Sequence, residues 1–158
     1  MVYIGIGSNL GNKIFNIEKA KYFLNLFGIN ILKSSSYYET LSWPDVNQPK
    51  FINVVIQSNT KFSPTKLIKI FKLIEKKLGR KKDIKNAPRT CDVDLISYYQ
   101  EKSSGIISIP HERMDKRIFV LIPLYELDKK WLHPKLKVNI KKLIFSLPIK
   151  DISSIKKI

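Results

Sequence analysis

Apolar residues recur along this chain with two different periods, and the switches between them divide it into elements. Val2 to Gly7 is a short apolar run followed by the turn-rich Gly7-Ser8-Asn9-Leu10-Gly11, so a strand leads into a loop. Ile14, Ile17, Ala20, Phe23, Leu24 and Phe27 then keep a helical period, with Asn12 as the cap and Gly28 as the stop. Ile29 to Thr40 reads as a second strand, Leu41 to Pro49 as a proline-bearing loop, and Phe51 to Thr60 as a third strand. Ser63-Pro64 supplies a capping hydroxyl and then a proline where the missing N–H costs nothing. Leu67, Ile70, Phe71, Ile74 and Leu78 form the buried stripe of this second helix, which ends at Gly79. A basic loop from Arg80 to Arg89 precedes a strand from Thr90 to Tyr98. A turn over Gln100 to Gly105, a short strand over Ile106 to Ile109 and a third helix over Asp115 to Leu127 follow, with Pro123 inside the helix. From Asp128 onward a peripheral helix and a frayed tail are expected.

The order strand, helix, strand, strand, helix, strand is the split βαβ arrangement. It predicts an α+β, ferredoxin-like βαββαβ core, a mostly antiparallel sheet with helices packed on one face. The 158 residues fit one domain, with 136–158 as its peripheral C-terminal tail. No apolar run reaches the ~18 residues of a membrane span. The opening Met1-Val2-Tyr3-Ile4 lacks a basic leader region, and Cys91 is the single cysteine, so a cytoplasmic protein with no membrane partner is expected.

A net charge of +16 invites a nucleic-acid reading. The basic residues, however, are 25 Lys and only 4 Arg, and the lysines are spread over predicted helix faces. That is a bias of the whole composition, so nucleic acid is not expected as a partner. The arginines behave differently. Arg80, Arg89, Arg113 and Arg117 all fall within one quarter of the chain.

Asp92 and Asp94 are the first candidates for chemistry. Residues i and i+2 of a strand share a face, so their carboxylates lie about 7 Å apart. Such a pair is either an exposed strand face or a site for a hard cation, magnesium above all. The cationic segment before it tilts this toward a polyphosphate site, with Arg89 best placed for a bidentate phosphate contact. His111, next to Pro110 and the basic run Arg113 to Arg117, can hydrogen-bond a phosphate. Asn9 and Asn53 are neutral hydrogen-bonding groups near the sheet centre, and Phe51 and Phe119 can stack a planar ligand or serve the core. Gly5, Gly7 and Gly11 do not make a dinucleotide fingerprint or a P-loop, and Cys91, His111 and His133 lack zinc spacing.

Several separated motifs resemble one family. Tyr3-Ile4-Gly5-Ile6-Gly7-Ser8-Asn9-Leu10-Gly11, Ser36-Tyr37-Tyr38-Glu39-Thr40, Gln48-Pro49-Lys50-Phe51-Ile52-Asn53, Leu78-Gly79-Arg80, Pro88-Arg89-Thr90-Cys91-Asp92-Val93-Asp94-Leu95 and Ile109-Pro110-His111 are similar to 6-hydroxymethyl-7,8-dihydropterin pyrophosphokinases. The resemblance implies transfer of pyrophosphate from ATP to the pterin hydroxymethyl group, releasing AMP, in folate biosynthesis. It implies Asp92 and Asp94 as ligands of two Mg2+ ions, with Arg80 and Arg89 stabilising the transferred group. It implies Glu75, Lys82, Ser108, His111 and Arg117 beside the nucleotide. It also implies Asn9, Thr40, Leu41, Ser42, Trp43, Phe51, Asn53 and Phe119 around the pterin, in a monomer or weak homodimer. Leu41-Ser42-Trp43-Pro44, Ala87, Lys82, Lys85 and Glu112 depart from the family pattern, and these changes are expected to tune loop closure and ATP affinity.

Overall fold

The structure, a computed structural model, describes residues 1–42, 45–80, 87–104 and 106–158. Trp43, Pro44 and the predicted nucleotide contact Lys82 lie outside the described residues.

The first half of the chain folds as its periodicity predicts. Strand β1 (Val2–Ser8) leads to helix α1 (Lys13–Leu26), whose first turn is closed by the Asn12 side chain accepting from Phe15 N–H. Gly28, at φ +83°, turns the chain out of the helix in a conformation glycine adopts at no steric cost. Helix α2 (Pro64–Lys77) has its first turn closed by the Ser63 hydroxyl, which accepts from Lys66 N–H.

The predicted strand Ile29 to Thr40 divides into β2 (Asn30–Ser34) and β3 (Tyr38–Thr40), both paired antiparallel to β4 (Phe51–Asn59). Ser35 is the reason. Its N–H donates to Val55 O while its hydroxyl accepts from Val55 N–H, so a side chain replaces one rung of the ladder and the strand breaks. Strand β5 (Asp92–Tyr98) starts two residues later than predicted. In the predicted turn and strand between Gln100 and Ile109, a small ribbon of β6 (Ser103–Ser104) and β7 (Ser108–Ile109) forms. A 3-10 turn (Met114–Lys116) precedes helix α3 (Ile118–Leu127) where one continuous helix was predicted.

The main sheet runs β5-β1-β4-β3, with β2 on the same edge of β4, and every pairing is antiparallel, as a βαββαβ core requires. Helices α1 and α2 cover one face, burying Ile17, Ala20, Leu24, Leu67, Phe71 and Ile74 against Val2, Ile4, Ile6, Val54, Ile56, Val93 and Leu95.

Two expectations are corrected. Helices lie on both faces, because Tyr3, Val55 and Ile96 give the second face an apolar end that α3 closes with Val120, Leu121 and Leu124. The C-terminal segment is also not a frayed tail. Helix α4 (Ile140–Phe145) buries Ile140, Leu143 and Ile144 in that second cluster beside Trp131. Helix α5 (Ile149–Ser154) and strand β8 (Lys156–Lys157) follow, and β8 pairs with β3. These apolar side chains need burial, and the uncovered end of the sheet supplies it.

Candidate active site

The rest of the second face is open. Its floor is two rows of residues across three strands. Asp92 pairs across to Gly7, and Gly7 to Asn53; Asp94 pairs to Gly5, and Gly5 to Val55. A Cβ on Gly7 would stand 2.9 Å from Asn53 Oδ1, and one on Gly5 3.3 Å from Ile96 Cδ1. The two glycines therefore keep the floor low, leaving a cleft of about 280 Å³. Thr40, Leu41, Phe51, Asn53 and Phe119 line one side; Lys72, Arg80, Arg89, Asp92, Asp94, His111, Arg113 and Arg117 line the other.

The charged side holds four arginines, a lysine and a histidine around two carboxylates. Arg80 Nη1 reaches Asp92 Oδ1 at 2.7 Å and Arg89 Nη1 reaches Asp92 Oδ2 at 3.1 Å, so both oxygens are engaged by guanidinium groups. Arg117 Nη1 lies 3.5 Å from Asp94 Oδ2, and His111 Nε2 lies 3.9 Å from it. The Asp94 carboxyl is pushed above its ordinary value, chiefly by loss of water and then by the Asp92 charge, against the pull of His111 and Arg117. Burial, the largest influence on His111, holds its imidazole below its ordinary value, although Asp94 favours the charged form. Its Nδ1 accepts from Arg113 N–H at 3.2 Å, so a neutral ring carries its proton on Nε2, the atom nearest Asp94. Arg80 is held above its ordinary value: burial opposes this, but the charges of Asp92 and Glu75 outweigh it.

Two half-exposed carboxylates on one strand face are a donor set that fits a hard cation. Among the described residues no group of three or more acid, histidine or cysteine ligands converges. A magnesium ion at this pair would have only two protein ligands and would need phosphate and water to complete its shell, its usual arrangement in phosphoryl-transfer sites.

Four predicted contacts sit away from the cleft lining. Glu75 is 2% exposed and lies beneath the site, where its Oε1 accepts from Arg80 at 2.6 Å and from Val93 N–H at 3.0 Å while its Oε2 meets Lys72 at 3.1 Å. It positions two cations and the start of β5 instead of facing a ligand. Asn9 is likewise buried. Its Oδ1 accepts from Arg89 N–H at 2.7 Å and its Nδ2 donates to Pro49 O at 3.1 Å, so it ties together the loops bearing Arg89 and Phe51. Ser42 is buried with its hydroxyl 3.5 Å from Gln48 Oε1, and the Ser108 hydroxyl donates to Pro110 O at 3.3 Å. Trp43 and Lys82 are outside the described residues.

Lys72, Arg113, Gly5 and Gly7 line the cleft but are absent from the predicted contacts. Lys72 has the look of a solvated helix position; the signal was its i,i+3 spacing to Glu75.

On the side lined by Phe51 and Phe119, Asn53 Nδ2 donates to Thr40 Oγ1 at 2.9 Å, which fixes the amide. Arg89 lies 5.9 Å over the Phe51 ring and Arg117 5.5 Å over the Phe119 ring. Both phenylalanines thus present a face to the cleft region and not only to the core.

Residues 3–129 match the 7,8-dihydro-6-hydroxymethylpterin-pyrophosphokinase (HPPK) family. The chain belongs to this pyrophosphokinase family. It is 37% identical over 134 residues to 2-amino-4-hydroxy-6-hydroxymethyldihydropteridine pyrophosphokinase of Aquifex aeolicus, covering 84% of this chain and 83% of that one. It is 38% identical over 127 residues to the mitochondrial folate synthesis bifunctional protein of Pisum sativum, covering 80% of this chain and only 25% of that protein's length. The chain thus spans about a quarter of such bifunctional relatives. A crystal structure of HPPK-DHPS in complex with substrates superposes over 99% of this chain and 48% of that one, at a TM-score of 0.75 and 12% identity, a likeness of fold. Plasmodium falciparum HPPK-DHPS superposes over 90% of this chain and 43% of that one, at a TM-score of 0.68 and 13% identity.

Proposed function

We propose that the chain transfers pyrophosphate from ATP to the hydroxymethyl group of 6-hydroxymethyl-7,8-dihydropterin, releasing AMP. The observation that carries this is the row Asp92–Gly7–Asn53. It sets a polyphosphate-binding half and a planar, hydrogen-bonding half about 10 Å apart, two strand spacings, with no side chain between them. Membership of the pyrophosphokinase family and the likeness to the Aquifex aeolicus enzyme support the choice of substrates.

In this reading Asn53 and Thr40 orient the pterin edge, while Phe51 and Phe119 stack its ring. The hydroxymethyl oxygen then faces the β-phosphorus. Its bond to that phosphorus forms as the bond from phosphorus to the oxygen bridging the α-phosphate breaks, AMP leaves with that oxygen, and the hydroxyl proton passes to solvent. Arg80 and Arg89 exchange Asp92 for the transferred group, and His111 and Arg117 hold the nucleotide phosphates. Magnesium, two ions by the resemblance, would neutralise phosphate charge when held by Asp92 and Asp94. A cytoplasmic location, a monomer or weak homodimer and the lack of a nucleic-acid partner belong to the same proposal. No helix among the described residues is long and apolar enough to cross a membrane.

The test is AMP release from ATP and magnesium with and without the pterin. Pterin-dependent AMP supports the assignment, and its absence sinks it.

A further inference from the structure

Glu126 stands near the end of α3, about two turns beyond Phe119, and its carboxylate meets donors from two other parts of the chain. Its Oε2 accepts from Ser36 N–H at 3.0 Å and from the Tyr38 hydroxyl at 2.9 Å. Its Oε1 accepts from the Ser36 hydroxyl at 2.7 Å and meets the Lys157 ammonium at 3.5 Å. Ser36 lies in the break between β2 and β3, Tyr38 opens β3, and Lys157 is on β8. That last strand pairs Lys157 with Tyr38 and Lys156 with Glu39, and Ile158 N–H donates to Tyr37 O at 3.0 Å. One carboxylate thus joins the helix that begins beside Phe119 to the three-residue strand that ends in Thr40.

Strand β3 is only three residues long. It makes three register pairs with β4, the last of them Thr40 with Phe51. Tyr38 and Thr40 are two residues apart, so they share a face, and a shift at Tyr38 is passed directly to Thr40. Thr40 in turn accepts the hydrogen bond that orients Asn53.

We propose that Glu126, together with β8, is a positioning device for the pterin half of the cleft: it sets the separation of Phe119 from Thr40 and Asn53 without touching either substrate. This rests on the pyrophosphokinase reading above. Residues 130–158, β8 among them, lie beyond the segment that matches the family, whereas Glu126 lies within it. The nucleotide half has anchors of its own outside the device: Glu75 holds Arg80 and the start of β5, and Asp94 holds Arg117 at the N-terminus of α3.

A carboxylate that only stabilised the fold would lower the thermal midpoint and the folded fraction but leave both substrate constants unchanged. The full chain, E126A, E126Q and I158P are therefore compared for pterin and ATP KM, for kcat, for pterin dissociation constant from pterin fluorescence, and for thermal midpoint. Proline at 158 removes the N–H donated to Tyr37 O, at a position whose side chain is half-exposed. In E126A the pterin KM and dissociation constant should rise about five- to tenfold, with the ATP KM within about twofold of the parent. E126Q and I158P should move the same way by less, and they carry the test if E126A does not fold. Unchanged pterin constants in the folded variants, or an ATP KM that rises in parallel, overturn the positioning role. A parent chain that neither binds nor turns over pterin overturns the functional reading as well, whereas an active parent with unaltered variants overturns only the role of Glu126.

Discussion

The second face of the sheet has two ends built by the same three strands, and they differ at only a few register positions. At one end Tyr3 meets Leu121 and Leu124 and is buried with Val55 and Ile96, which reach the edge of the cleft. At the other, Gly5, Gly7, Asn53, Asp92 and Asp94 meet no helix core and form the floor of the cleft. On β5 the change occurs between Asp94 and Ile96, one step of the same side-chain alternation. A site needs no separate scaffold here. It needs residues that refuse burial at positions where the neighbouring rows accept it, and glycines where a side chain would fill the space.

The largest expected effect comes from the open end. Asp92→Asn and Asp94→Asn should each lower turnover by about a thousandfold or more while the fold survives, since neither side chain lies in a core cluster. Near-normal rates in both would mean the carboxylates do not hold the metal. The closed end should respond in the opposite sense. Leu121→Ala, at a fully buried position, should cost about 2–5 kcal/mol in chemical denaturation while turnover per folded molecule stays within about twofold. A loss of turnover without loss of stability would erase the distinction between the ends.

A smaller effect is expected at the boundary. Gly7→Ala places a methyl group 2.9 Å from Asn53 Oδ1, so Asn53 must shift and the pterin KM should rise about tenfold, with the ATP KM much less affected. Equal changes in both constants would mean that the row does not separate two half-sites.

The smallest effect is a pH dependence away from both ends. Burial works against the Glu126 charge, but the hydrogen bonds from Ser36 and Tyr38 outweigh it, so its carboxyl is held below the ordinary 4.5. The unfolded chain therefore binds the proton first as pH falls, and this stabilisation is complete above the ordinary value and lost through the lower folded one. Melting between about pH 3 and 6 should show a shallower acid loss in Glu126→Gln than in the parent. Identical slopes would remove the charge from the account of that joint.

Much of this was legible in the chain. The caps at Asn12 and Ser63 act through short-range hydrogen bonds, and the helical and strand periods follow from local geometry, so these elements could be read without the fold. The same geometry put Asp92 and Asp94 on one face, and the motifs around them named the chemistry. Two kinds of feature were not legible. The resemblance implies ligand contacts at Glu75 and Asn9, yet both are buried and act through Arg80 and Arg89. Distance along the chain says nothing about which way a buried polar group turns. Ser35 also looks like any strand residue until Val55 is placed opposite it.

By itself, then, the sequence determined the first strand, the first two helices with their caps, the acid pair and the family, because those depend on residues a few positions apart. Only the tertiary structure decided that Gly7 stands between Asp92 and Asn53, that α3 closes one end of the face, and that the last residues pair with β3. Those relations join residues roughly 25 to 120 positions apart. They are set by which apolar surfaces must be covered once the sheet has formed.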